Sequence, residues 1–425
     1  VIPETFTSSL WHATAPEAPP LPPLDWPARA DVVIVGAGIL GLTLAMTLAR
    51  SGVDTLVLER DEIGFGASGR NGGLVVPAFP RLGPSDVIKK LGAPGERLVA
   101  AIAGSAAKVF GLIKTHALSC EAVQSGWIMP AHAQNRMAGF EARARDWERF
   151  GHTVEVLDKP ACDAATGSGW WHGAMLDREG GHLNPLAYTR GLAQATLGAG
   201  ARIATGIDVT AINGTSVETS KGLVHAGRIV LATNALPSTP LPGFSASVVP
   251  LHIWQMATKP YPPELVRTVV QGSMSLSDTR NDLFAVRWTR DNRLVIGGMA
   301  VLLQGAGARL AKRNAKRIAE AFPQLGPVEI DQVWHGRASL TPDLLPRLYE
   351  TGPVIALTAC NGRGIGMNTV LGEALAHYLT SGDASQVPLP FDQDMRPVPK
   401  PTLAAFAPRA LLPLGRLKDA LDRRT

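Results

Sequence analysis

The chain has 425 residues, enough for two domains at roughly 150 residues each, and its 45% hydrophobic and 18% charged residues exclude a disordered protein. The net charge of +5 is spread along the sequence with one local cluster, the C-terminal RLKDALDRR. It marks a mild bias toward anionic ligands and no nucleic-acid footprint. Cys120, Cys162 and Cys360 are odd in number and far apart, which excludes a disulfide framework or zinc site and suits a reducing, cytoplasmic compartment.

The first thirty residues have no apolar run after a basic start, so no secretory signal is expected. PEAPPLPPLDWP (Pro16 to Pro27) is too proline-rich for a helix or central strand and should be extended. Asp31 to Arg50, DVVIVGAGILGLTLAMTLAR, holds 18 uncharged residues, Val32 to Ala49, the lower limit for a membrane span. Its pattern divides instead into a short β-branched strand, a glycine turn and a helix that stops at Gly52. Gly36, Gly38 and Gly41 stand in G-x-G-x-x-G spacing, for the sharp turn, the approach of a pyrophosphate and the close packing of the helix. The helix N-terminus then offers free N–H groups to phosphate. DTLVLERD follows as a second strand and ends on Glu59, whose carboxylate suits a ribose and repels a 2′-phosphate. Strand, glycines, helix, strand and acid in this order predict dinucleotide binding, and no other segment rivals this one as a span.

IGFGASGRNGG (Ile63 to Gly73) follows the second strand as a glycine-rich loop, where an NAD domain would continue into a helix and strand. Such a loop runs along an extended cofactor, with Arg70 and Asn71 as added donors. Residues 240–331 read as the strands VVPLHIWQMAT, MSLSDTR, LFAVRWT and RLVIGGM, a half-covered antiparallel sheet. GWIMPAHA adds a strand, and GFEARARDWERFG and GARLAKRNAKRIAEAF read as exposed helices. PVIALTACNGRGIGMNTVLGEALAHYL (Pro353 to Leu379) is again strand, glycine loop and helix. Its helix N-terminus and Arg363 suit the anionic edge of a reduced flavin. The two distant glycine loops make the dinucleotide FAD.

These segments, together with GHLNPLAYTRGLA, GRIVLATNA, RLVIGG and SLTPDLLP, occur in order over residues 31 to 380. They resemble the FAD-dependent amine and amino-acid oxidases of the D-amino-acid oxidase (DAO) superfamily, most nearly its gamma-glutamylputrescine oxidase-like sequences. The resemblance implies an α/β (α+β overall) fold. A Rossmann-like FAD-binding domain would be assembled from residues 31–79, 183–239 and 332–382. An antiparallel-sheet substrate domain from 80–182 and 240–331 would be inserted between them, with an N-terminal arm (1–30) and a C-terminal tail (383–425). It places the pyrophosphate on the amides near Gly36, Ala37, Gly38, Ile39 and Leu40, and the ribose at Glu59 with Arg60 beside it. Ser68, Arg70, Asn71, Gly72 and Gly73 would line the pyrophosphate and isoalloxazine. Val209 would lie against the adenine, with Ala232 and Thr233 near the same half. Arg363, Gly364, Ile365, Gly366 and Met367 would meet the pyrimidine edge. Many relatives have His where Arg363 stands, so a histidine role there is in doubt. WHGRASLTPD (Trp334 to Asp343) lacks the cysteine that anchors flavin in some relatives, so FAD is expected to be non-covalent.

The candidates for substrate contact are His252, Trp254, Arg287, Trp288, His335, Asp343 and Arg363. Arg287 reads as a carboxylate clamp or a structural arginine. The two histidines read as site or structural residues, Asp343 as a turn cap more than a base, and Trp254 as packing or an aromatic wall. No metal cluster, nucleophile elbow or P-loop is present. The expected activity is oxidation of a primary or secondary amine or amino acid by hydride transfer to flavin N5. An imine that hydrolyses would be released, and O2 would reoxidise the flavin to give H2O2. The alternatives are a dehydrogenase that passes electrons to a quinone or carrier, and a non-catalytic flavin-binding or regulatory protein. The tail from PFDQD onward is expected to leave the core. Its short basic amphipathic end would dock on its own protein, or touch a membrane surface or partner.

Overall fold

The β-branched run that ends at Val35 forms the strand Ala28–Val35, at the centre of a nine-stranded sheet. The computed structural model describes residues 9–26, 28–234, 240–241 and 243–423. Ala28–Val35 pairs in parallel with Thr55–Leu58 on one side and Gly222–Leu231 on the other. The sheet continues to Arg202–Ala204 beyond the first and to Val354–Thr358 beyond the second, both in parallel. Helices Ile39–Arg50, Pro185–Gly198 and Gly364–Ser381 bury their apolar residues on one face, while Phe244 and Tyr349 join the core on the other. A sheet covered on both faces needs unbroken apolar strands, which is what DVVIV and TLVL supply. The long uncharged stretch is therefore a strand and a helix inside one domain.

The second sheet has eight strands, in the order Ile330–Leu340, Val249–Thr258, Leu294–Gly298, Ala285–Trp288, Ser275–Ser277, Trp127–Pro130, Ala174–Asp177 and Glu155–Leu157. All neighbours are antiparallel except Ser275–Ser277 with Trp127–Pro130. Helix Ala306–Ala321 packs Leu310, Ile318 and Ala321 onto one face beside Trp254 and Met256.

Three boundaries differ from expectation. Ile330–Leu340 pairs along its whole length with Val249–Thr258, so the second sheet extends to Leu340 and does not stop at residue 331. Phe391–Asp392 pairs with Leu348–Tyr349, so the chain leaves the first sheet only after Asp392. Helices Ala93–Ala103 and Ser105–Thr115 fall in the segment expected for the substrate domain but pack into the first domain's core. They meet at a 47° bend, and no single helix among the described residues is long and apolar enough to cross a membrane.

GFEARARDWERFG is only partly exposed: the helix Phe140–Glu148 buries Phe140 and Trp147, and Trp147 stacks on Phe79 at 5.9 Å. The N-terminal arm forms one helical turn, Leu10–Thr14, with Trp11 fully buried, and then continues to Trp26 without helix or strand. The terminal helix, Ala407–Asp422, docks back on the protein through Asp419, which accepts from the amides of Asn281 and Asp282.

Candidate FAD and amine site

The glycine turn sits where the parallel strands end. Gly36 has φ +112°, and a Cβ there would stand 3.0 Å from the Ala232 carbonyl. A Cβ on Gly41 would stand 2.1 Å from the Gly36 carbonyl oxygen, so only glycine lets the helix start directly against its own turn. Two amides of the turn are taken by side chains. Ala37 N–H donates to Glu59 at 2.8 Å, and Ile39 N–H donates to Ser68 Oγ at 3.0 Å. This corrects the assignment of both amides to pyrophosphate. Gly38, Leu40 and Gly41 N–H have no partner among the described residues and face the helix N-terminal end. Burial raises the Glu59 pKa, against two backbone N–H bonds that lower it.

A cavity of about 1440 Å³ opens from this turn, beyond the ~300–1,000 Å³ of an ordinary small-molecule site. Its wall carries Gly36 to Leu40, Glu59, Arg60, Ser68, Arg70, Asn71, Gly72, Val209, Ala232 and Thr233. Gly41 and Gly73 are not on the wall. A Cβ on Gly73 would meet the Leu183 carbonyl at 2.1 Å, so this glycine serves packing.

The loop carrying Arg70, Asn71 and Gly72 is held by three distant side chains. Trp334 Nε1 donates to the Arg70 carbonyl at 2.9 Å, Trp11 Nε1 to the Asn71 carbonyl at 2.9 Å, and Arg287 Nε to the Gly72 carbonyl at 2.7 Å. Arg287 also donates to the Trp288 and Leu183 carbonyls, lies over the Trp11 ring and is fully buried. Burial lowers its pKa to about 9. It is off the cavity wall and each of its three nitrogens already donates to a backbone carbonyl, which overturns the carboxylate-clamp reading. The Asn71 side chain likewise braces its own loop, donating to Ala67 and Ser68 carbonyls and accepting from Gly73 N–H.

On the second sheet Leu251, Ile253 and Gln255 face the cavity. Side chains alternate, so His252 and Trp254 face the other way. Register places Trp254 opposite His335, and the three rings stack together away from the cavity, which removes all three from the substrate wall. Trp288 is buried and donates to the Val269 carbonyl. Asp343 accepts from Leu345 N–H and pairs with Arg347 at 2.7 Å, a turn cap off the wall.

At the far loop Arg363, Gly364 and Ile365 reach the wall. Gly366 and Met367 do not: Gly366 packs against Ser105 and Met367 is in the core. The Arg363 guanidinium lies over the Trp127 ring at 5.1 Å. It is enclosed by protein yet keeps surface toward the void, and burial with the like charge of Arg143 lowers its pKa to about 10. No carboxylate pairs with it among the described residues. Arg143, from the partly buried helix, also reaches the wall and was missed because its neighbours read as a solvated face. Trp127, Met129 and Met175 complete an apolar lobe beside these two arginines.

A glycine turn with unpartnered amides, an acid at the second strand's end and a cavity running to a second glycine loop together fit one extended dinucleotide. Residues 31–378 match the family of FAD-dependent oxidoreductases, DAO. The chain belongs to the DAO family of FAD-dependent oxidoreductases. FAD is therefore its cofactor, and the enzyme class is oxidoreductase acting on amines or amino acids. The chain is 32% identical over 392 residues to gamma-glutamylputrescine oxidoreductase of Escherichia coli (strain K12), covering 89% of this chain and 90% of the relative. Among solved structures, glycine oxidase from Geobacillus kaustophilus superposes with a TM-score of 0.69 at 21% identity, covering 83% of this chain and 95% of that one. L-Amino acid deaminase from Proteus myxofaciens gives 0.70 at 17% identity, covering 92% and 96%. These structures share the Rossmann-like fold with this FAD-dependent oxidoreductase.

Proposed function

We propose that this chain oxidises a primary or secondary amine that also carries a carboxylate. The observation that supports it is the lobe beside the flavin loops, where Arg363 and Arg143 face the void with no acid paired to Arg363. A guanidinium held over Trp127 could take a carboxylate in a two-point hydrogen bond. Leu251, Ile253, Met129 and Met175, all on the wall, would exclude water from the carbon next to nitrogen. Bound FAD would supply the hydride acceptor, and the imine released would hydrolyse to a carbonyl compound. Gly38 and Leu40 amides would hold the pyrophosphate, and Glu59 the ribose.

The cofactor is held non-covalently in this reading. Cys360 is on the wall, but burial raises its thiol pKa and keeps it neutral. Acid precipitation tests this, and yellow protein in the pellet would overturn it. O2 is the proposed electron acceptor and the cytoplasm the proposed location. Peroxide formed in step with substrate would support the first, and turnover only with an added quinone would replace it by the dehydrogenase reading.

The name of the E. coli relative puts gamma-glutamylputrescine first in the substrate panel. Anaerobic bleaching of the flavin is the decisive assay. Carboxylate-bearing amines are expected to bleach it faster than their decarboxylated counterparts. Bleaching by no amine would refute the oxidase reading, and indifference to the carboxylate would refute the role given to Arg363.

A further inference from the structure

We infer that the terminal helix is a docking surface for an anionic lipid bilayer. It is built inside out. Of its 16 residues, Ala407–Asp422, Asp419, Asp422 and Arg416 turn inward while Leu411, Leu414, Leu417 and Leu421 are exposed, with Leu412 alone of its leucines buried. Asp419 is 6% exposed and accepts from Asn281 N–H at 3.0 Å, Asn281 Nδ2 at 2.7 Å and Asp282 N–H at 3.1 Å. Asp422 pairs with Arg136, and Arg416 reaches Asp282 and the Met299 carbonyl. These contacts fix which face looks out. Leu414, Leu417 and Leu421, three and four residues apart, share that face at 62%, 58% and 52% exposure.

The concentration is not ordinary surface chemistry. Nine large apolar side chains are exposed among the described residues, and six of them fall between Leu403 and Leu421. Single exposed leucines need no explanation, whereas a continuous apolar stripe on a fixed helix does.

Charge selects the occupant. Residues 396–424 carry seven Lys or Arg and two Asp, and both acids are spent inward. Lys400, Lys418 and Arg423 are exposed, Arg423 with its guanidinium over the Trp170 ring. A second copy of this chain would bring the same positive flanks against each other, whereas an anionic headgroup layer neutralises them. At 16 residues the helix is about 24 Å long. Held along its inward face, it lies in the plane of the interface with its leucines at acyl depth and its basic side chains reaching back to the headgroups.

The experiment uses the full FAD-loaded chain and sedimentation with vesicles of phosphatidylcholine containing about 30 mol% phosphatidylglycerol, against phosphatidylcholine alone. The wild type is expected to sediment with the anionic vesicles and to be released at about 0.5 M salt. Leu414→Glu/Leu417→Glu/Leu421→Glu should lower partitioning more than tenfold, with flavin absorbance and turnover in free solution unchanged. Lys400→Gln/Arg423→Gln should lower it about fivefold per charge removed while the stripe stays intact. Equal binding to neutral and anionic vesicles, or none to either, overturns the proposal. So does a wild-type dimer that the leucine variant turns into monomer while neither binds vesicles.

Discussion

Gly41→Ala should abolish tight FAD binding while leaving the fold in place. The new Cβ would stand 2.1 Å from the Gly36 carbonyl oxygen, and 3.0 Å is the least such contact tolerates, so turn and helix must part by about 0.9 Å. The Gly36 carbonyl is backbone and cannot rotate away. A pyrophosphate bond of ~2.9 Å from Gly38 or Leu40 N–H, lengthened by that amount, passes out of hydrogen-bond range. Hydrogen bonds to charged groups contribute about 1.5–3 kcal/mol each. Losing one to both costs roughly 2–4 kcal/mol after partial relaxation, or about 30- to 1,000-fold in affinity. Alanine is the better helix former by about 1 kcal/mol, which offsets much of the overpacking in the cofactor-free protein. Gly38→Ala is the internal control. Its Cβ meets only Ser68 Oγ, at 2.8 Å, and displacing that hydroxyl from Ile39 N–H should cost about fivefold. Flavin fluorescence quenching of the deflavinated protein measures both. A Gly41→Ala affinity within about threefold of wild type, or a larger loss in Gly38→Ala, would falsify the account of the turn.

Arg363→Gln should lower kcat/KM for a carboxylate-bearing amine by about 10- to 100-fold, whereas His252→Ala and His335→Ala, whose rings face away from the cavity, should stay within about twofold in kcat. Arg287→Met leaves three buried carbonyls unpaired and should destabilise the protein by about 3–5 kcal/mol in thermal unfolding, more than it changes KM. His182 is buried and its pKa is pushed down to about 3 by desolvation and by Arg287, against an unfolded value of 6.5. The unfolded chain therefore takes up the proton first as pH falls. His182 stabilises the fold fully above pH 6.5 and progressively less toward pH 3, by about 2 kcal/mol between pH 7 and 5. Denaturant unfolding of wild type and His182→Gln at the two pH values should show that slope only in the wild type. Equal slopes would remove the histidine from the account.

The cofactor half was legible in the sequence because its determinants are local. Strand, glycine turn, helix, strand and Glu59 follow each other within about thirty residues, and spacing alone fixes their geometry. The substrate half was not. In VPLHIWQMAT apolar or aromatic residues fall on both alternations, so period two assigns no face, and only the pairing of Trp254 with His335 shows that Ile253 looks into the cavity. Arg287 lies in a strand, and its partners, Gly72 and Leu183, are far away in sequence. A charge there reads as a ligand clamp until those carbonyls are found. Arg143 failed in the opposite sense. Its helix is dominated by charges, and the two buried aromatics that turn it inward, Phe140 and Trp147, were too few to show a face.

Three consecutive carbonyls, those of Arg70, Asn71 and Gly72, are capped from residues 334, 11 and 287. This sets an order of events during folding. The glycine turn can form early from neighbouring residues, since closing a short loop costs little entropy. The adjoining flavin loop waits for contacts 264 and 215 residues away, and contacts of such separation form late. A growing polypeptide thus carries the fingerprint of its cofactor long before it can hold it, and recovery of flavin binding in refolding should follow the slowest phase.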